Sequence, residues 1–142
     1  MIRANILVVD DDPVARKLMS RALKRVAADS RVDLTSDGRS ALAFLAREGL
    51  YSSAPPPDLL LLDWNLPDHH GSEVLARVRQ SSALRDLPVV IVSGSDAPED
   101  MEKARTLGSN GYVVKHADFA RFTEALRAII EPYLVPREPE AA

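Results

Sequence analysis

The sequence predicts an α/β protein with a doubly wound, five-stranded parallel sheet flanked by five helices. Four short runs of Val, Ile and Leu lack alternating polar residues, which is typical of strands buried on both faces in parallel sheets. Helical segments separate these runs, and strand–helix alternation predicts right-handed crossovers within one open sheet. The chain has 142 residues, the usual size of a single domain.

The first strand and helix are predicted at residues 6–9 and at Pro13–Ala28. Proline suits the first position of a helix because its missing N–H group needs no partner there. Apolar residues then recur at i, i+4 spacing, which predicts one buried face. These residues are Val14, Leu18, Ala22 and Val26.

The second unit is weaker and is followed by a loop. Val32–Thr35 predicts a short strand near an edge of the sheet, and Ser40–Glu48 predicts the second helix. The segment GLYSSAPPP, residues 49–57, is predicted to be a loop, because three consecutive prolines cannot donate backbone hydrogen bonds.

Three further units complete the pattern. The predicted elements are a strand at 59–62, a helix at Gly71–Gln80, a strand at Val89–Val92, a helix at Pro98–Leu107, a strand at Gly111–Val114 and a helix at Asp118–Ile130. Pro132, Pro136 and Pro139 prevent a long final helix. We therefore expect one domain over residues 1–131, a polar tail over 132–142, and no output domain.

The bulk composition excludes several classes of function. With 46% hydrophobic and 27% charged residues the chain has an ordinary globular composition. Its net charge of −3 argues against non-specific nucleic-acid binding, and the absence of cysteine removes disulfides and thiol chemistry. No apolar stretch approaches the ~20 residues of a membrane span. The first strand begins too early for a signal peptide, so we expect a cytoplasmic protein.

Each of the four apolar runs ends in a polar residue that can do chemistry. Asp10-Asp11-Asp12 follow the first run, and Asp63, Ser93 and Lys115 follow the other three. Ligands of open parallel sheets bind outside the carboxyl ends of the strands. We therefore expect carboxylates, a hydroxyl and an amine in one cleft, a set that suits a divalent cation and a phosphoryl group.

The acidic residues suit Mg²⁺ better than zinc. Mg²⁺ takes oxygen ligands from a few carboxylates and keeps several waters, and Asp10, Asp11 and Asp63 with the Asn65 backbone carbonyl would supply such a set. Asp12 has an alternative role as the cap of the helix that begins at Pro13.

Two neighbouring histidines lie in the loop after the third strand. His69 and His70 are not accompanied by cysteine or by HExxH spacing, so we interpret them as exposed residues rather than metal ligands.

The remaining residues suit phosphoryl transfer. Lys115 can hold a phosphoryl oxygen as a point charge, and Ser93 offers a hydroxyl, unless it only caps the turn at Gly94. Once cations neutralise the transferring group, a carboxylate can attack phosphorus to give an aspartyl-phosphate. Asp63 is the best candidate because it stands alone on a central strand.

Three motifs occur together with Gly71 and Ser93, namely VVDDD, LLLLDWNLP and GYVVK. In this combination the chain resembles the receiver domain of the two-component response-regulator family across residues 6 to about 130. The resemblance implies the flavodoxin-like receiver fold and a phosphoacceptor role for Asp63. It also implies that Asp10 and Asp11 hold Mg²⁺ together with the Asn65 carbonyl.

The resemblance also assigns roles to the remaining site residues, with Ser93 and Tyr112 as the switch. Lys115 would bind the phosphate, and Ser93 would be the hydroxyl that moves toward it. Tyr112 matches the aromatic position that changes rotamer on activation, although it would also suit a half-buried strand residue. The sequence departs from the family at His116, where proline with a cis peptide bond is usual. A non-proline cis bond costs ~2.5–4 kcal/mol, so we expect a trans bond between Lys115 and His116.

The expected function is that of a single-domain response regulator that accepts a phosphoryl group from a histidine kinase and catalyses no reaction beyond its own phosphorylation and dephosphorylation. The stretch REGLYSSAPPPDLLLLDWNLP is similar to stand-alone regulators of phytochrome-type kinases. The last helix carries apolar residues, and more follow Pro132, namely Tyr133, Leu134 and Val135. Together they favour a homodimer through the C-terminal end of the chain.

Three other functions would suit the same fold class. A phosphate-independent interaction module would keep the fold, but it would be expected to lack one of the required site residues. A hydrolase with an aspartate nucleophile normally has a second acid two residues later, where this chain has Asn65. A flavodoxin-like redox protein would carry a Ser/Thr-rich phosphate loop after the first strand, where acids stand instead.

Overall fold

The computed structural model describes residues 4–134, in which five parallel strands alternate with five α-helices. The strands are β1 (Asn5–Val9), β2 (Arg31–Thr35), β3 (Leu59–Leu62), β4 (Val89–Ser93) and β5 (Gly111–Val114). The helices are α1 (Pro13–Val26), α2 (Gly38–Ala46), α3 (Gly71–Gln80), α4 (Pro98–Thr106) and α5 (Phe119–Ile130). The predicted fold class is confirmed.

The strand order is β2-β1-β3-β4-β5, and every neighbouring pair is parallel. Val9 at the end of β1 pairs with Leu62 at the end of β3, and Ser93 at the end of β4 pairs with Val114. The strand order reverses between β1 and β3, which is where open α/β sheets form their ligand crevice. The carboxyl ends of β1, β3, β4 and β5 therefore meet along one edge.

The two faces of the sheet carry separate apolar cores, because side chains alternate between the faces along each strand. In β1, Ile6 and Val8 belong to the core beneath α1 and α5, whereas Leu7 and Val9 belong to the core beneath α2, α3 and α4. All four residues of β3 are buried. This double burial explains why the strands appear in the sequence as unbroken apolar runs.

Helix α1 buries a different stripe from the predicted one. Ala22 and Val26 are buried as expected, but Val14 is 63% exposed and Leu18 is 36% exposed. Because each i, i+4 step advances about 40° around a helix of 3.6 residues per turn, a long row of such positions rotates out of the interface. Met19 and Leu23 complete the buried face instead.

Several element ends differ from the predicted ones for local reasons. Helix α2 begins at Gly38 because the Asp37 side chain caps it by accepting from the Ser40 N–H. It ends before Arg47, whose φ of 57° is left-handed. Helix α5 begins at Phe119 rather than Asp118, which is its N-cap.

The loop predicted over residues 49–57 contains a short 3₁₀ helix, Gly49–Tyr51. The Tyr51 ring lies 5.1 Å from the Phe44 ring of α2, which attaches the loop to the body of the fold.

The last described residues pack against the same chain. Leu134 is only 5% exposed and belongs to the core beneath α1 and α5, and Tyr133 packs against that core. The predictions that concern Val135, Pro136 and Pro139 lie outside the described residues. Within residues 4–134, no helix is long and apolar enough to cross a membrane.

Candidate functional site

Three carboxylates converge at the carboxyl ends of β1 and β3. Asp10, Asp11 and Asp63 each offer an oxygen, and these oxygens lie within 4.8 Å of one another. Asp10 and Asp63 are almost fully buried, whereas Asp11 is exposed. Hard carboxylate oxygens, one of them open to water, are the ligands that a small divalent cation requires. The residues present therefore fit such an ion.

Lys115 reaches the same cluster from the end of β5. Its Nζ atom lies 2.6 Å from Asp10 Oδ2 and 3.6 Å from Asp63 Oδ2. The Lys115 side chain is 28% exposed, whereas the two carboxylates are nearly buried. An ammonium in this position offsets part of the negative charge that the carboxylates concentrate.

Burial and the neighbouring charges shift the pKa values of Asp63 and Lys115. Burial raises the pKa of the Asp63 carboxyl above its ordinary value; the Lys115 charge opposes this effect and the Asp10 charge adds to it. Burial alone would lower the pKa of Lys115, but the hydrogen bond to Asp10 and the charge of Asp63 outweigh it and raise that pKa. Lys115 is therefore held as a cation.

The backbone around Asp10 is fixed by neighbours that the sequence analysis missed. The Arg16 guanidinium donates to the Asp10 carbonyl at 2.7 Å, and the Asp10 N–H donates to the Thr35 carbonyl at 3.1 Å. The Asp12 N–H donates to Asp10 Oδ1 at 3.0 Å, which orients the carboxylate. Arg16 lies six positions beyond Asp10 in the first turns of α1, and nothing in the sequence distinguishes it from the other arginines of that helix.

Asp12 adopts its alternative role. Its Oδ1 accepts from the Val14 N–H at 3.0 Å and caps α1. This contact commits the Asp12 carboxylate to the helix.

The loop after β3 turns tightly around Asp63. The Gly71 N–H donates to the Trp64 carbonyl at 2.8 Å. A Cβ atom at Gly71 would lie 2.6 Å from the Asp63 carbonyl oxygen and 2.8 Å from Trp64 Cα, so only glycine fits there. The Asn65 N–H donates a long bond of 3.5 Å to Asp63 Oδ1. Asn65 thus lies beside the carboxylate, while cation binding by its carbonyl stays a prediction.

The interpretation of the two histidines as exposed is wrong. Both are half-buried, and neither belongs to the carboxylate cluster. His70 Nδ1 accepts from the Ser72 N–H at 3.1 Å and caps α3, while its ring contacts Trp64 edge-on at 4.8 Å. His69 Nδ1 lies 3.0 Å from Glu73 Oε2. These contacts hold both rings in place, and the spacing of residues in the sequence does not reveal them.

Asp68 ties this loop to α2, and the sequence analysis also missed it. Its carboxylate accepts from the N–H groups of Gly38 and Arg39, both at 2.9 Å. Burial acts slightly against ionisation, but these backbone N–H donors lower the pKa of Asp68 below its ordinary value. The partners lie about thirty positions apart in the chain, so no local pattern signals the contact.

Ser93 and Tyr112 meet at one residue. Ser93 is fully buried, and its Oγ accepts from the Ser95 N–H at 3.2 Å. Tyr112 is half-buried, and its hydroxyl donates to the Ser95 carbonyl at 2.9 Å. At Gly94, a Cβ atom would meet nothing within 4 Å. The two residues expected to act as a switch are therefore joined through the backbone of Ser95.

The peptide bond between Lys115 and His116 is trans, as predicted, since no cis bond occurs within residues 4–134. Lys115 nevertheless stays at the site, because its N–H donates to the Ser93 carbonyl at 2.8 Å. His116 is exposed, and its Nδ1 accepts from the Asp118 N–H at 2.9 Å.

Comparisons with known proteins agree on one family. The family described as the response regulator receiver domain matches residues 6–127. The response regulator Rcp1 of Synechocystis is 37% identical over 110 residues, which cover 78% of this chain and 75% of Rcp1.

Solved structures give the same result. The phosphorylated cyanobacterial phytochrome response regulator RcpA superposes with a TM-score of 0.85 at 34% identity, covering 93% of this chain and 94% of RcpA. The Mn²⁺-bound form of Rcp1 superposes with a TM-score of 0.83 at 32% identity, covering 97% of this chain and 99% of that one. Both likenesses extend over nearly the whole of each chain.

Proposed function

Since this chain belongs to the response regulator receiver family of two-component systems, we propose that it accepts a phosphoryl group from a histidine kinase onto Asp63 and signals through the change that follows. The observation that carries this proposal is the position of Lys115 Nζ, 2.6 Å from Asp10 and 3.6 Å from Asp63, within a cluster of three carboxylates. A cationic amine and a nearly buried central carboxylate are what an aspartyl-phosphate site needs.

The transfer itself is a displacement at phosphorus. An oxygen of the Asp63 carboxylate attacks the phosphorus atom of a kinase phosphohistidine; the O–P bond forms, the P–N bond breaks, and its electron pair stays on the imidazole nitrogen. Mg²⁺ held by Asp10, Asp11, Asp63 and the Asn65 carbonyl would supply positive charge to the phosphoryl oxygens. Asp63 is the nucleophile because it lies at the centre of the crevice.

The same residues respond to the product. The new dianionic group competes with Asp10 for the Lys115 ammonium, and it offers acceptors to the Ser93 hydroxyl. Tyr112 follows because its hydroxyl is bonded to the residue that also bonds Ser93 Oγ. Hydrolysis of the aspartyl-phosphate returns the chain to its starting state, so its only catalysis is on itself and it is not an enzyme for other substrates.

A phytochrome-type histidine kinase is the proposed partner. RcpA, with which this chain shares 34% identity, is a phytochrome response regulator. The proline-bearing loop before β3 agrees with that class. Phosphotransfer from a purified phytochrome-type kinase, compared with a chemotaxis-type kinase, tests the assignment. A cytoplasmic location belongs to the same proposal, and cell fractionation tests it.

Homodimerisation through the C-terminal region stays a prediction. Tyr133 and Leu134 pack on the core of their own chain, so they do not require a second copy. Sedimentation over a dilution series, with and without beryllofluoride, tests the dimer; a monomer under every condition would contradict it.

Incubation with Mg²⁺ and acetyl phosphate, followed by intact mass measurement, tests phosphorylation. We expect the gain of one phosphoryl group in the wild type and none in Asp63→Asn. If the wild type gains no phosphoryl group, the alternative of a phosphate-independent interaction module takes its place.

A further inference from the structure

Asp10 has a partner for both its backbone groups and for both its carboxylate oxygens, and these partners come from four segments of the chain. The Asp10 N–H donates to the Thr35 carbonyl at 3.1 Å. The carboxylate accepts from the Asp12 N–H at 3.0 Å and lies 2.6 Å from Lys115 Nζ. The Asp10 carbonyl accepts from Arg16 Nη1 at 2.7 Å. Because Asp10 is almost fully buried, the loss of any of these partners leaves a polar group without one at a cost in free energy.

The partners of the Asp10 carboxylate change during the proposed reaction, whereas the partner of its carbonyl does not need to. A divalent ion requires a carboxylate oxygen of Asp10, and the new phosphoryl group competes with that carboxylate for Lys115. Arg16 instead holds the main chain of Asp10 from helix α1. Once Lys115 turns away, Arg16 is the cation among residues 4–134 that still contacts Asp10.

Arg16 differs from the later arginines of the same helix. The Arg21 and Arg25 guanidinium groups lie over the Phe119 ring, 4.8 and 5.3 Å from its centre, and both residues are exposed. Arg16 is half-buried and reaches the edge of the sheet where the carboxylates meet. Within the described part of the chain no other group donates to the Asp10 carbonyl, so the loss of Arg16 leaves that buried acceptor unpaired.

We propose that Arg16 is a positioning residue of the divalent-ion site, which holds the Asp10 main chain so that the Asp10 carboxylate stays in place for the ion when Lys115 turns to the phosphoryl group. The proposal rests on the proposed function and deepens it, because it assigns to Mg²⁺ binding a residue outside the carboxylate cluster. Arg16 acts through Asp10 and is not a ligand itself, since a guanidinium offers no lone pair to a metal ion.

The charge of Arg16 and its hydrogen bond affect Mg²⁺ binding in opposite directions. As a positive charge beside the carboxylates, the guanidinium repels the ion, so removal of the charge alone would tighten Mg²⁺ binding. As the donor to Asp10, the guanidinium orients a ligand, and loss of a group that orients a metal ligand typically lowers metal affinity by about 10- to 100-fold. The direction of the change therefore separates the two roles.

Titration of the full chain with Mg²⁺, followed by the fluorescence of Trp64, is the test. Arg16→Met removes the donor and the charge but keeps an aliphatic side chain, and Arg16→Gln replaces the guanidinium by a shorter, uncharged amide. Lys17→Met is the matched control, because it removes one positive charge from the exposed neighbouring residue of the same helix.

Two further measurements accompany each titration. Urea unfolding with and without Mg²⁺ gives the stability that the ion adds to each variant. A purely structural loss lowers the free energy of unfolding equally under both conditions, whereas weaker ion binding lowers the added stability. Intact mass after incubation with acetyl phosphate gives phosphoryl uptake.

We expect the Mg²⁺ midpoint to rise at least about tenfold in both Arg16 variants, together with a fall in the stability that Mg²⁺ adds. In Lys17→Met we expect the midpoint to stay at or below the wild-type value. If Arg16→Met does not fold, Arg16→Gln gives the comparison. A midpoint at or below the wild-type value in the Arg16 variants would overturn the positioning role and leave the proposed function intact. A wild type that binds Mg²⁺ but takes up no phosphoryl group would overturn the proposed function, while a raised midpoint in the Arg16 variants would still support Arg16 as the residue that positions the ion site.

Discussion

Arg79 of α3 joins the helix to two loops at the amino-terminal ends of β4 and β5. Its Nη1 donates to the Leu87 carbonyl at 2.7 Å and to the Arg85 carbonyl at 3.1 Å. Its Nε and Nη2 donate to the Gly108 carbonyl at 3.0 and 2.8 Å, and Nη2 also donates to Asn110 Oδ1 at 2.9 Å. Replacement by alanine would leave all four acceptors without this partner.

The size of the effect follows from which acceptors water can reach. The bond to the Leu87 carbonyl is partly buried, whereas the others are exposed and water replaces them at little cost. Burial also lowers the pKa of Arg79, with the Asp86 charge opposing, which shows that the guanidinium is partly desolvated. A hydrogen bond to a charged group contributes roughly 1.5–3 kcal/mol. The aliphatic part of the Arg79 side chain also loses its packing, so Arg79→Ala should lower the free energy of unfolding by about 2–4 kcal/mol. Arg79→Lys should not restore the lost stability, because a single ammonium cannot replace the several donors of the planar guanidinium.

Urea unfolding followed by the fluorescence of Trp64 measures the loss. Trp64 is the single tryptophan and is fully buried, so its emission reports on unfolding. Arg77→Ala is the matched control, because Arg77 lies two residues earlier on the same helix and is exposed. If the two alanine variants have the same free energy of unfolding, the hydrogen bonds of Arg79 do not stabilise the fold and the reasoning fails.

Three further predictions concern the site. Gly71→Ala places a Cβ 2.6 Å from the Asp63 carbonyl oxygen. Such overpacking should lower the free energy of unfolding in urea by about 1–3 kcal/mol and reduce phosphoryl uptake. An unchanged free energy of unfolding and unchanged uptake would contradict the tight turn. Asp68→Ala should destabilise the protein at neutral pH. Slight burial would raise the pKa of the Asp68 carboxyl, but the backbone donors lower it below its ordinary value. The contribution of Asp68 to the free energy of unfolding is therefore complete above the pKa of the unfolded state. It is lost as the pH falls through the pKa of the folded state. The difference from wild type, measured by urea unfolding over a pH series, should therefore shrink below about pH 4; a difference independent of pH would refute the role of its charge. Asp10→Asn should weaken Mg²⁺ binding, read as quenching of Trp64 fluorescence in a titration; an unchanged midpoint would remove Asp10 from the ligand set.

The sheet and the carboxylate cluster could be predicted because both follow from short-range rules. An unbroken run such as Leu59–Leu62 leaves few alternatives to a strand buried on both faces, and the ends of parallel strands meet at one edge. That rule alone predicts that Asp10, Asp63 and Lys115 lie close together, although they are far apart in the chain. The structure places all three within hydrogen-bonding or ion-pairing distance.

The remainder depends on contacts that sequence spacing does not encode. The exposed positions of Val14 and Leu18 follow from the rotation of the i, i+4 row relative to the sheet. Asp68 accepts from the first N–H groups of a helix that begins thirty positions earlier. The cap from His70 uses a residue type that is unusual at this position.

The proposed function requires Asp63 to be the phosphoacceptor, and chemical trapping identifies the phosphorylated residue. After phosphorylation with acetyl phosphate, borohydride reduces an aspartyl-phosphate to homoserine, and peptide mass mapping locates the changed residue. We predict homoserine at position 63 alone and no conversion in Asp63→Asn. Conversion of Asp10 or Asp11, or a phosphoryl group that borohydride leaves on His69 or His70, would show that Asp63 is not the phosphoacceptor.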